Sequence, residues 1–180
     1  METTDRVRIL FLCTGNSCRS QMAEGWTRHL KREEIEAYSA GVSPKAVDPR
    51  AVRAMAEVGV DISDQRSKSI SDVREIPFEY VVTLCDNAQQ SCPAFPGKTK
   101  LRHVGFEDPA YLARAARSEE EAMGHYRRIR DQVRAFVERL PEALMQEGAT
   151  DSALVNQGFA RGIQGVLTRL SGDLGAKKKG

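Results

Sequence analysis

The sequence predicts an α/β fold: an open, mainly parallel four-stranded sheet with helices on both faces, followed by a C-terminal helical extension. Three observations carry this. The apolar run Val7-Arg-Ile-Leu-Phe-Leu12 passes directly into a polar loop and then into a helix-period pattern. A β-branched run, Tyr80-Val-Val-Thr-Leu84, has the composition of an interior strand. Elsewhere strand-like and helical stretches alternate, as parallel strands joined by crossovers require.

In chain order, residues 7–12 form the first strand, and Met22, Ala23, Trp26 and Leu30 recur at helix spacing behind the loop. A second strand, Glu36-Ala-Tyr-Ser-Ala40, ends at Gly41. Asp48-Pro49 supplies an N-cap and a proline at the first helical position. The helix behind it is expected to bury Val52, Met55, Ala56 and Val58 and to stop at Gly59. Residues 61–76 read as a loop with a short helix. The strand over residues 80–84 ends at Cys85, and a polar segment, residues 86–91, leads to Cys92-Pro93. Residues 101–104 are a weaker strand, and Gly105-Phe-Glu-Asp-Pro109 is a turn or loop. Ser118 and Glu121 have capping-box spacing. The long helix that follows carries Ala122, Tyr126, Ile129, Val133, Phe136, Val137 and Leu140 on one face, and Pro141 ends or kinks it.

Residues 1–147 are read as one catalytic domain. Residues 148–180 are an extension in which Val155, Phe159, Ile163, Val166 and Leu170 form a stripe. Gly158, Gly162 and Gly165 weaken that helix, and the basic end, Lys177-Lys-Lys179, is expected to be disordered. The extension reads as a packed appendage or, alternatively, as a protein-binding segment.

With 27 Lys and Arg against 25 Asp and Glu, the net charge of +2 is no footprint for nucleic acid or an acidic membrane. No apolar run approaches membrane-spanning length, and residues 1–5 do not open a signal peptide. A soluble, cytoplasmic monomer is expected. In that compartment four cysteines point to catalysis or metal binding rather than to structural disulfides. Their positions, 13, 18, 85 and 92, contain no Cys-x2-Cys pair and have no histidine nearby, so no metal site is expected.

The chemistry concentrates in Cys13-Thr-Gly-Asn-Ser-Cys-Arg19 and the adjoining Ser20. A loop between a strand end and a helix start aims several N–H groups at one point, where the helix dipole also favours an anion. Arg19 adds a planar fork of donors. That field suits a thiolate nucleophile at Cys13. Gly15 and Asn16 tolerate the unusual dihedrals of an anion nest. Cys18 is expected to pack rather than react. Ser20 can cap the helix and can also donate to the Cys13 thiolate, two compatible roles. Asp108, before Pro109, is the candidate acid for an oxygen that leaves a tetrahedral oxyanion. If the strands ending at Cys13 and Cys85 run parallel, both sulfurs face one crevice. The three histidines, 29, 103 and 125, read as surface or structural residues.

The motifs CTGNSCRSQMAEGW, YSAGV, VVTLCDNAQQSCP and GFEDPA together resemble the thioredoxin-coupled arsenate reductases, which share the low-molecular-weight protein tyrosine phosphatase fold. The resemblance spans residues 7–144. It implies that the loop amides of Thr14, Gly15, Asn16, Ser17, Cys18 and Arg19 are the oxyanion ligands and that Cys13 attacks arsenic, aided by Arg19 and Asp108. Cys85 would then attack Cys13, releasing arsenite and leaving a Cys13–Cys85 disulfide. Cys92 would move the disulfide to Cys85–Cys92, and thioredoxin, as electron donor, would reduce it. No bound cofactor is implied. Some relatives hold a structural potassium with an Asn, a Glu, a Ser and an acid. Asn16, Glu24 and Ser39 match, but Lys68 stands where the acid is expected. A lysine ammonium could replace the ion. The competing readings are a phosphate-monoester hydrolase using Cys13, Arg19 and Asp108, and a non-catalytic oxyanion-sensing module.

Overall fold

The computed structural model describes residues 6–145. Four parallel strands, β1 (Val7–Cys13), β2 (Ile35–Gly41), β3 (Tyr80–Thr83) and β4 (Lys100–His103), form one sheet in the order β2-β1-β3-β4. The crossovers carry α1 (Arg19–Leu30), then α2 (Pro49–Ala56) and α3 (Ile70–Val73), then α4 (Asp86–Gln90). After β4 come α5 (Pro109–Leu112), a 3-10 turn, α6 (Glu119–Val137) and α7 (Glu142–Met145).

The period-2 alternation of β1 builds two cores. Ile9, Phe11 and Cys13 face Met22 and Trp26 of α1, Met55 of α2, and the stripe of α6. Leu10 and Leu12 face a smaller core with Val73 of α3, Val81 of β3 and Ala88 of α4. Helices therefore cover both faces, but the second face is closed only by short ones. All seven residues expected on the long helix are buried, from Ala122 to Leu140. Each of the larger ones contributes about 1.5–3 kcal/mol by leaving water.

The element assignments hold at most positions, and four details differ. In α2 the buried side chains are Ala51, Ala54 and Met55, with Val52 half-buried, whereas Ala56 and Val58 are exposed. The face is turned by one residue because α2 packs against both α1 and α6, and small alanines permit that close approach. The polar segment after Cys85 is a helix, α4, whose only buried side chain is Ala88. Ser118 accepts from the Glu121 N–H at 3.1 Å, but Glu121 accepts from Arg117 N rather than Ser118 N, so the capping box is half made. Gly15 does not adopt a left-handed φ. Asn16, at φ 46°, is the loop residue that does. The tail stripe and the basic end lie outside the described residues.

Candidate active site

The oxyanion loop sits where β1 ends and α1 begins, at the carboxyl edge of the sheet. Its carbonyls are all engaged from behind. Cys13 O accepts from Val42 N (3.3 Å), Thr14 O from Ser43 N (2.8 Å), Gly15 O from Lys45 N (2.8 Å) and Ser17 O from Asp48 N (2.9 Å). Asn16 O accepts from Ser67 Oγ (2.6 Å) and Gln21 Nε2 (2.8 Å), and Cys18 O from Met22 N (2.9 Å). Among the described residues, none of the N–H groups of Thr14 through Arg19 donates to a protein acceptor. With the carbonyls tied outward, these donors are left for an anion, as a backbone nest requires.

Asn16 fixes that geometry. Fully buried, it donates from Nδ2 to Ser20 Oγ and Ser39 Oγ, each at 2.9 Å, and its Oδ1 accepts from Lys68 N at 2.7 Å. Gly41 makes room for it: a Cβ there would lie 2.8 Å from Thr14 O and 2.9 Å from Asn16 N. Both neighbours are backbone atoms, which cannot step aside. Gly41, Gln21 and Ser67 escaped sequence reading because their roles exist only once the loop is in place.

Cys13 Sγ lies 3.0 Å from Ser20 Oγ, buried at the floor of the loop. Ser20 makes no cap bond, and the helix start is Cys18 without a side-chain cap. Of the two roles weighed for Ser20, partnership with Cys13 is therefore the one the geometry supplies. Arg19 closes the rim, donating from Nη1 to Phe106 O (2.9 Å) and from Nη2 to Asp108 Oδ2 (3.2 Å). Two of its five donors are thus committed to the loop that carries Asp108. Asp108 Oδ1 also caps α5, accepting from Ala110 N (3.0 Å) and Tyr111 N (3.4 Å).

The second thiol is beside the first strand's end. Cys85 follows β3, which pairs in parallel with β1, and its Sγ lies 3.3 Å from Thr14 Oγ1. Cys92 lies past α4, half-buried against the smaller core, with its sulfur 3.7 Å from Pro93 O. Burial pushes its thiol above the ordinary value. Cys18 is buried, and burial first, then the charge of Asp48, pushes its thiol well up. It packs, as expected. All four cysteines are free thiols here.

Beneath the loop, Glu24 is 1% exposed and holds two cations: Arg28 Nη2 at 2.5 Å on Oε1, and Lys68 Nζ at 3.5 Å on Oε2. Ser39 Oγ donates to the same Oε2. Lys68 Nζ also donates to Arg66 O at 3.0 Å, so an ammonium already lies against the Glu24 carboxylate that the potassium of some relatives would share. Among the described residues no group of three or more His, Cys, Asp or Glu could hold a metal ion, and no helix is long and apolar enough to cross a membrane.

These groups define a class by their arrangement: a loop of N–H groups between a strand end and a helix start, with a buried thiol at its floor and a guanidinium at its rim. Residues 8–150 match the family of low molecular weight phosphotyrosine protein phosphatases, and the chain belongs to it. An arsenate reductase of Shouchella clausii is 46% identical over 134 residues, 74% of this chain and 94% of that one. The solved structure of an arsenate reductase in a phosphate-binding state is 31% identical, with a TM-score of 0.60, covering 74% of this chain and 95% of the other. The thioredoxin-dependent arsenate reductase of Corynebacterium glutamicum is 26% identical, with a TM-score of 0.55, over 80% of this chain and 65% of that one.

Proposed function

We propose that this protein reduces arsenate to arsenite through a relay of three thiols, and that a thioredoxin dithiol resets it. The observation that carries the reading is Cys85: a second thiol, 3.3 Å from the hydroxyl of Thr14, at the rim of a loop whose nucleophile is Cys13. A phosphatase has no use for it. The reductase names among the relatives support the same reading.

The steps balance as follows. The nest and Arg19 bind arsenate through its oxygens, and the Cys13 thiolate forms a bond to arsenic(V). An oxygen leaves as water after taking a proton from Asp108, which must first exchange its contact with Arg19 for the departing group. The Cys85 thiolate then attacks Cys13 Sγ. The S–As bond breaks and its electron pair stays on arsenic, which leaves as arsenite, while Cys13 and Cys85 become a disulfide. Cys92 attacks Cys85, freeing the Cys13 thiolate and forming Cys85–Cys92. The thioredoxin dithiol supplies the two electrons that reopen this bond.

The geometry of α4 sets a condition on the third step. A regular helix over the seven steps from Cys85 to Cys92 would rise about 10 Å, whereas a disulfide needs Cα atoms about 4.4–6.8 Å apart. α4 covers Asp86–Gln90 of that span, and in this reading it loops out when the disulfide forms. It is five residues long and polar, with Ala88 its one buried side chain, so the change costs little. Unwinding also uncovers Cys92, whose burial now disfavours its thiolate. Such a relay needs a reducing compartment, which supports a cytoplasmic location in this reading.

The same Cys13, Arg19 and Asp108 suit slow hydrolysis of phosphate monoesters, and the family match favours that as a side activity. The test couples the protein to thioredoxin, thioredoxin reductase and NADPH, beside an aryl-phosphate assay. Arsenate-dependent NADPH oxidation supports the reading. Rapid aryl-phosphate turnover with no NADPH oxidation reduces the protein to a phosphatase, and arsenate binding with neither activity leaves only a sensing module.

A further inference from the structure

His103 does more than fill space. It is the last residue of β4, with a side chain 12% exposed, and its ring reaches to both sides of Cys85. Nδ1 lies 2.8 Å from Oγ1 of Thr83, the last residue of β3. Nε2 lies 3.4 Å from Oδ1 of Asp86, the first residue of α4. Thr83 and Asp86 flank the Leu84-Cys85 pair in the chain. Thr83 Oγ1 can also donate to Arg102 O at 3.4 Å. When Thr83 donates to Nδ1, the neutral ring carries its proton on Nε2 and turns it toward Asp86; when Thr83 donates to Arg102 O, Nδ1–H donates to Thr83 and only the protonated ring presents an Nε2–H to Asp86. A Cβ at residue 105 would lie 3.3 Å from Nε2, so Gly105 leaves the ring its place. Among the described residues, Asp86 is the charged group that faces the ring.

We propose that His103 is a positioning residue, a brace that holds Cys85 at the oxyanion loop for its attack on Cys13 and must let go before Cys92 can reach it. The inference rests on the thiol relay proposed above. Its two arms differ. The Thr83 arm joins two neighbouring strands of the sheet and survives every step. The Asp86 arm joins the sheet to α4, the segment that has to unwind. Asp86 is 87% exposed, so this arm is solvent-screened and releases readily. In the exchange itself the Cys92 thiolate bonds to Cys85 Sγ, the Cys13–Cys85 bond breaks, and Cys13 leaves as a thiolate, with no net oxidation. The brace changes only how often α4 is open when that attack is possible.

The test uses the full chain and a single arsenate turnover, quenched by alkylation at successive times, with each disulfide mapped by mass. In Asp86→Ala, conversion of Cys13–Cys85 to Cys85–Cys92 should be faster by about two- to five-fold, the scale of one exposed ion pair. Arsenite release in the first turnover should be no faster. Asp86→Asn, which keeps an acceptor oxygen, should lie between wild type and Asp86→Ala. Amide exchange over residues 86–91 of the reduced protein should rise in the same order. A merely structural role would slow both steps together. Equal conversion rates in wild type and Asp86→Ala overturn the brace while leaving the relay standing. Absence of any Cys13–Cys85 disulfide in the wild type overturns the relay, and the brace with it.

Discussion

Asn16→Ala is the sharpest probe of how the oxyanion loop is held. The substitution removes three hydrogen bonds, two buried ones to Ser20 and Ser39 and a part-buried one from the Lys68 N–H, each contributing about 1 kcal/mol. It also places a side chain without local hydrogen bonding at φ 46°, which costs about 1–2 kcal/mol. The expected loss is about 4 kcal/mol, or roughly 8–16 °C in Tm for a chain of this size. Asn16→Gly loses the same bonds but is at ease with that φ, so it should be less destabilised by about 1 kcal/mol. Urea unfolding of the two variants and wild type measures this. Phosphate titration should show weaker binding in both variants, because the nest loses the residue that sets its shape. A loss below about 1 kcal/mol in Asn16→Ala would refute the claim that this buried amide holds the loop.

Three other outcomes are expected. Gly41→Ala, whose Cβ would meet two backbone atoms at 2.8 and 2.9 Å, should cost about 1–3 kcal/mol and weaken oxyanion binding, measured by the same titrations. Wild-type activity should show little potassium dependence, since Lys68 already stands on Glu24. Lys68→Ala should lose activity and recover part of it with added potassium, whereas a large rise in wild-type kcat/KM would contradict the assignment. Cys18 has its thiol pKa raised by burial, so the unfolded chain releases that proton first as pH rises. Its contribution to stability is full below the unfolded thiol range, about 8.5, and is lost above it. Cys18→Ala should flatten that alkaline loss in urea unfolding at several pH values; an unchanged slope would count against it.

The sequence made the cradle legible because its parts are contiguous: a strand, a loop of turn-tolerant residues and a helix, with Cys13 and Arg19 at fixed spacing. The α6 stripe was equally plain, since a long helix repeats its period many times over. What eluded sequence reading depends on contacts between distant segments. The rotation of α2 is set by two neighbouring helices, and Gly41 matters only through the loop packed on it. Glu121 turned to Arg117 rather than completing its box. His103, read as surface or structural, touches the residues on either side of Leu84-Cys85. Lys68 reaches Glu24 at 3.5 Å across 44 positions of chain, a contact with no local sequence signal.

The fate of Cys13 and Cys85 once the third thiol is removed decides whether a relay operates. Cys92→Ser protein, mixed with arsenate without thioredoxin and mapped by mass, should release one equivalent of arsenite and stop with a Cys13–Cys85 disulfide. Continued turnover, or arsenite formed with residues 13 and 85 still as free thiols, would contradict it.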